Sequence, residues 1–192
     1  MSTSSASTVL LVDDDPSTRD VLQMQLEEAG FEARQAEDGI DGLAKLRDGL
    51  PGVIISDIQM PRMSGIEFVS VVRLRFPSIP VIILSGSSPV ELPAEAVPDA
   101  WFEKGSLQFP ELLQALHNLV RNTPDRANVP QVVAAPVRTR PYGADQFVVT
   151  CPECLRRFKA ANAPENKAVE RTASCPSCEA QVPFLVESPD PG

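Results

Sequence analysis

Residues 9–17 read Val9-Leu10-Leu11-Val12-Asp13-Asp14-Asp15-Pro16-Ser17. Four apolar residues in an unbroken run suit a strand of a parallel sheet, whose two faces are both covered by helices. An acidic turn follows at once, and Pro16 and Ser17 suit the start of a helix. Val21, Leu22, Met24, Leu26 and Ala29 then recur at helical intervals until Gly30, a residue suited to follow a helix C-terminus. The same order repeats along the chain: strands are expected at residues 31–35, 53–56, 81–84 and 100–102, and helices at 39–47, 65–75 and 112–120. Repeated strand–helix units imply a parallel α/β sheet. One helix is out of pattern, because residues 85–99 contain Pro89, Pro93 and Pro98, and each proline removes a helical donor. The fourth helix is therefore expected to be degenerate.

At 192 residues the chain has room for one domain with a sizeable core and one small unit. Hydrophobic residues make up 43% and charged residues 22%, as in ordinary globular proteins, which argues against a disordered or membrane-spanning chain. The net charge of -9 argues against a dedicated nucleic-acid binder. The acidity is concentrated: residues 1–120 hold 18 acids and 8 bases, whereas residues 121–141 hold four arginines and one aspartate. The opening residues have no basic stretch and the apolar run is too short for a signal core, so a cytoplasmic location is expected. Residues 123–145 carry Pro124, Pro130, Pro136 and Pro141 and read as a proline-rich linker, most simply a flexible tether. The expected domains are thus residues 1–122, a linker at 123–145, and a module at 146–188.

In an open parallel α/β sheet, functional groups gather beyond the carboxyl ends of the strands. Asp13, Asp14 and Asp15 follow the first strand, Asp57 ends the third, Ser85 ends the fourth and Lys104 follows the fifth. Clustered carboxylates need a hard cation, and oxygen ligands of this kind suit Mg²⁺, which also recruits phosphate oxygens. An aspartate beside such an ion can accept a phosphoryl group as an acyl phosphate, with a lysine and a hydroxyl to hold its oxygens. Taken alone, an Asp-rich turn is more often a helix cap or a solvated turn than a metal site, and Trp101 is equally an ordinary packed aromatic. His117, the one histidine in the chain, reads as structural.

With Leu11-Val12-Asp13-Asp14-Asp15-Pro16 and Asp57-Ile58-Gln59-Met60-Pro61-Arg62-Met63-Ser64-Gly65 in this order, residues 9–120 resemble the response-regulator receiver family. The strand-four segment ending in Ser85-Gly86 and Trp101-Phe102-Glu103-Lys104 extend the resemblance. It implies a flavodoxin-like, doubly wound, five-stranded parallel sheet of order 2-1-3-4-5. It also implies that Asp57 is the phosphoacceptor and that Mg²⁺ is held by Asp13, Asp14, Asp57 and the Gln59 backbone carbonyl. Ser85 and Lys104 would contact the phosphoryl oxygens, with Ser85 and Trp101 as switch residues. Gly105 stands where the family usually has proline, which puts the aim of Lys104 in doubt.

Cys151-Pro152-Glu153-Cys154 and Cys175-Pro176-Ser177-Cys178 form two close pairs, a spacing that suits a tetrahedral Zn²⁺ site. The flanking β-type residues make the module resemble a zinc ribbon, although Leu155 and Glu179 stand where each knuckle often has glycine. A rubredoxin-like iron site, a redox dithiol pair and unliganded structural cysteines compete with zinc, which is favoured because few aromatics are present to shield a redox iron and no thioredoxin-like unit surrounds either pair. Such a site would be structural, because so small a module cannot bury enough apolar surface alone.

The expected function is that of a two-component response regulator rather than an enzyme. A histidine kinase or phosphotransfer protein would supply the phosphoryl group, and a downstream protein of unknown identity would read the change. The alternative is a transcription regulator whose module and linker touch nucleic acid through Arg138, Arg140, Arg156, Arg157, Lys159, Lys167 and Arg171.

Overall fold

The computed structural model describes residues 7–86, 92, 96–121, 136–139, 146–161 and 170–186. The first unit runs β1 (Thr8–Val12), α1 (Pro16–Glu28), β2 (Glu32–Ala36), α2 (Gly39–Asp48), β3 (Val53–Asp57), α3 (Gly65–Arg75), β4 (Val81–Ser85), β5 (Ala100–Glu103) and α4 (Phe109–Arg121). All neighbouring strands pair in parallel, in the order β2-β1-β3-β4-β5. The central strands β3 and β4 are buried along their whole length, as continuous apolar runs require when both faces are covered. Successive side chains alternate between those faces. Val9, Leu11, Ile55, Ile82 and Leu84 pack with Leu22, Leu26, Leu112 and Leu116 of α1 and α4. Leu10, Val12, Ile54, Val81 and Ile83 pack with Leu43, Leu46, Phe68 and Val72 of α2 and α3.

The turns into α1, α2 and α3 are each closed by a cap. Asp15 accepts a hydrogen bond from the Ser17 backbone N–H at 3.0 Å, and Pro16 needs no such partner at the first helical position. Asp38 caps α2, and Ser64 with Glu67 forms a reciprocal capping box on α3. Gly30, with φ of 88°, ends α1 in the left-handed conformation expected of it. Between β4 and β5 the described residues contain no α-helix; residues 87–91 and 93–95 of that stretch lie outside them.

The second unit comprises β6 (Val137–Thr139), β7 (Gln146–Thr150), β8 (Arg157–Ala161), β9 (Glu170–Ser174) and β10 (Gln181–Val186). Two antiparallel hairpins, β7-β8 and β9-β10, each carry one cysteine pair at the turn. The linker reading is corrected in part: Val137–Thr139 is a strand, paired parallel to β10 with Val137 opposite Phe184. Three residues are too few to show a period, and the pairing partner lies far along the sequence. Thr139 Oγ1 also donates to the Val148 carbonyl at 2.6 Å, fastening β6 to the other hairpin. Apart from Pro136, the remainder of the expected linker lies outside the described residues, as do Arg140 and Lys167.

The two units share a core. Val137, Phe147, Val149, Leu155, Val182 and Phe184 continue the apolar cluster that begins on α2 and α3. The sequence of α3, GIEFVSVVRLR, is apolar on nearly every side, and Phe68, Val69, Ser70, Val71 and Val72 are all buried. A helix of that kind needs cover on its outer face as well as its inner one, and β6 lies against it. Arg47 of α2 donates to the Leu155 carbonyl at 3.0 Å across the contact. None of the described helices is long and apolar enough to cross a membrane.

Candidate functional site

The topology brings the sequence-identified acids together. Asp13, Asp14 and Asp57 each place a carboxylate oxygen within 4.8 Å of the others. Asp13 and Asp57 are 4% and 5% exposed and Asp14 is exposed, so the cluster opens to solvent at the carboxyl edge of the sheet on the Asp14 side. Lys104 Nζ reaches Asp13 Oδ2 at 2.8 Å and Asp57 Oδ2 at 3.1 Å. Three carboxylates against one ammonium leave two negative charges, the amount that one divalent cation cancels. Asp15 does not join them; its carboxylate caps α1 through Ser17 and Thr18, so the cap reading holds for it while Asp13 and Asp14 face the pocket.

Burial is the main influence on Asp57 and raises its pKa above the usual aspartate value; the Lys104 ammonium and the Ile58 N–H oppose that shift. Burial also works against the charged form of Lys104, but its bonds to Asp13 and Asp57 leave its pKa above the ordinary lysine value. Asp57 Oδ1 accepts from Ile58 N–H at 2.7 Å, which fixes one oxygen and leaves the other toward Lys104. The Lys104 N–H donates to the Ser85 carbonyl at 2.8 Å, so the loops after β4 and β5 are tied together even with Gly105 in place of proline. Ser85 is buried at the end of β4, and Gln59 lies two residues beyond Asp57 in the loop to α3. Trp101 sits on β5 opposite Ile83, half-buried, and its Nε1 has no hydrogen-bond partner among the described residues. His117 lies away from the pocket with its ring 5.4 Å from that of Phe31, in keeping with a structural role.

Gly65 had no assigned role in the sequence reading, yet it sets the approach of α3 to the acceptor. A Cβ at that position would lie 1.9 Å from the Asp57 carbonyl oxygen, so only glycine fits. The signal was present in Ser64-Gly65-Ile66-Glu67, a capping box with glycine inside it. Arg62 was likewise passed over; it holds φ of 63° and pairs with Glu37 and Asp38 at 2.5 Å each.

At the other site the four cysteine sulfurs also lie within 4.8 Å of one another. Cys151 to Cys178 is 3.6 Å and Cys154 to Cys175 is 3.7 Å. Those separations are too long for disulfides and near the tetrahedron edge of about 3.8 Å implied by metal–sulfur bonds of about 2.3 Å. The two knuckles have matching backbones. Leu155 N–H donates to Cys151 and Glu179 N–H to Cys175, both at 2.8 Å, and both donors adopt a positive φ, 56° and 62°. The missing glycines are thus replaced by residues held in glycine's conformation. Without a metal, burial pushes the Cys151 thiol up to about 12. Burial also acts to raise Cys175, but the backbone N–H groups of Ser177 and Cys178 lower it to about 7. A bound cation would let all four lose their protons.

The response regulator receiver domain model matches residues 9–101. The first part of this chain is a response regulator receiver domain. The receiver is 32% identical over 100 residues to the C4-dicarboxylate transport transcriptional regulatory protein DctD of Rhizobium meliloti, covering 52% of this chain and 22% of that protein. It is 37% identical over 95 residues to the DNA-binding transcriptional regulator NtrC of Salmonella typhimurium, covering 50% of this chain and 20% of NtrC. The chain therefore spans about a fifth of the length of these curated relatives. Among solved structures, the response regulator TrrA of Thermotoga maritima in complex with Mg(2+)-BeF is similar at 32% identity and a TM-score of 0.55. That likeness covers 59% of this chain and 98% of TrrA.

Proposed function

We propose that this protein is a two-component response regulator that accepts a phosphoryl group on Asp57 and signals through protein–protein contacts. The observation that carries the reading is Lys104 Nζ between the buried carboxylates of Asp13 and Asp57, in an acidic cluster whose charge calls for one divalent cation. Asp13, Asp14, Asp57 and the Gln59 carbonyl would hold Mg²⁺, whose role is to screen the charge gathered on the phosphoryl oxygens. An Asp57 oxygen attacks the phosphorus of a phosphohistidine on a histidine kinase or phosphotransfer partner. The phosphorus–nitrogen bond breaks, the acyl phosphate forms, and the imidazole departs and takes up a proton. Lys104 and Ser85 then bind the phosphoryl oxygens, and Trp101, whose Nε1 is unpartnered among the described residues, repacks when Ser85 moves. Apart from this self-catalysed transfer and its hydrolysis the protein is not an enzyme, and it acts in the cytoplasm.

The four cysteines would hold Zn²⁺ in a closed structural site with no open position for catalysis. A second reading, transcription control through nucleic acid contact, is favoured by the names of DctD and NtrC. Retention of the protein on DNA that falls steeply with salt would support it.

The test of the main reading is labelling by a small phosphodonor in the presence of Mg²⁺. Wild-type protein should be labelled and Asp57→Asn should not, because the amide is not a competent nucleophile. Equal labelling of the variant would place the acceptor elsewhere.

A further inference from the structure

A cavity of about 670 Å³, whose lining includes none of Asp13, Asp14, Asp57, Ser85 or Lys104, opens at the seam where the cysteine module meets α2 and the loop after β3. Its size falls within the ~300–1,000 Å³ usual for small-molecule sites. Four arginines line it: Arg47 of α2, Arg62 of the loop, and Arg156 and Arg157 at the start of β8. Against them stand two carboxylates, Glu37 and Asp41, so the lining is positive in a chain of net charge -9. That local reversal of sign is produced only by bringing the two units together.

The four guanidinium groups are unequally satisfied. Arg62 is neutralised by Glu37 and Asp38. Arg47 donates to the Leu155 carbonyl, an uncharged acceptor that leaves its positive charge uncancelled. Arg156 and Arg157 stand exposed and make no ion pair with a described carboxylate. Desolvation at the seam lowers the Arg157 pKa, and Glu67 and Asp38 oppose that only through space. The wall between the charges is apolar, formed by Ile40, Leu43, Ala44 and Leu155.

Guanidinium groups match phosphate oxygens in paired hydrogen bonds, and an aliphatic wall receives a flat or apolar body. We propose that this seam binds a nucleotide-sized phosphate ester, with Arg156 and Arg157 on the phosphates and the ring against Ile40 and Leu155. The concave shape and the acidity of the remaining chain favour a small anion over a long nucleic acid. Because each unit supplies part of the lining, the ligand bridges receiver and module. Occupancy would stabilise their contact by an amount that grows with the logarithm of ligand concentration above its dissociation constant.

Calorimetric titration of the full metal-loaded chain with ADP, and separately with pyrophosphate, in Mg²⁺-free buffer tests this. ADP should bind the wild type, and the double variant R156Q/R157Q should bind at least about tenfold more weakly, the loss expected of two charge-assisted contacts. Lys104→Gln, which alters only the acidic pocket, should bind ADP as the wild type does. Amide shifts on adding ADP to the wild type should centre on Ile40, Arg47 and Leu155, a readout that needs no variant to fold. No binding of either probe at millimolar concentration would overturn the proposal. So would undiminished binding by R156Q/R157Q, or loss of binding and of the seam shifts in Lys104→Gln.

Discussion

Leu155 and Glu179 occupy equivalent places in the two knuckles, with φ of 56° and 62°, yet replacing each by glycine should shift stability in opposite directions. An L-residue in the left-handed region costs roughly 1–2 kcal/mol, and glycine returns about 0.5–1 kcal/mol of that in unfolded-chain entropy. Glu179 is exposed, so nothing else is lost, and Glu179→Gly should stabilise the module by about 0.5–1 kcal/mol. Leu155 is 4% exposed and belongs to the shared core. Its truncation forfeits about 2–5 kcal/mol of packing, so Leu155→Gly should destabilise the module on balance. Since metal binding is linked to folding in such modules, competition with a chelator of known zinc affinity reads both effects. Glu179→Gly should hold zinc roughly two- to fivefold more tightly, and Leu155→Gly at least about fivefold more weakly. Shifts in the same direction would refute the argument, because backbone strain would then not be what distinguishes the sites.

Asp57→Asn should raise the melting temperature of the Mg²⁺-free protein at neutral pH. The raised pKa of Asp57 means that its contribution to stability is fully present below the unfolded value of 3.8 and is lost as pH rises through the folded pKa. The uncharged amide avoids that loss, so the advantage of the variant should shrink on acidification; a variant that melts lower than wild type at pH 7 would contradict this. Gly65→Ala, which forces a Cβ against the Asp57 carbonyl, should cost about 3 kcal/mol in denaturant unfolding and slow phosphorylation as well. Metal removal by a chelator should unfold the second unit, leave the receiver helices intact by circular dichroism, and increase binding of a hydrophobic dye as α3 loses its cover.

The acidic pocket was legible because each member stands at a strand end, where topology alone brings Asp13, Asp57, Ser85 and Lys104 together. The cysteine cluster was legible from spacing, though the knuckle conformations were not: Leu155 and Glu179 hold a left-handed backbone that their residue types disfavour. The backbone hydrogen bonds to Cys151 and Cys175, each four residues back in the knuckle turn, hold that conformation against the preference. The strand at Val137–Thr139 escaped because its pairing with β10 is non-local and prolines flank it. The contact between the units also escaped, although α3 carried the sign. Phe68, Val69, Val71 and Val72 point to more than one side of the helix, and a receiver helix with one solvent face would not need them all.

The cover over α3 bears on where this chain can be cut. A fragment ending at Arg121 would retain every group of the phosphoryl site, but Val69, Val71 and Val72 would lose the module that shields their flank. Bare aliphatic flanks of this kind drive association between copies. Self-association of such a truncated receiver would therefore report the missing tail, and would be poor evidence for a dimer of the intact protein.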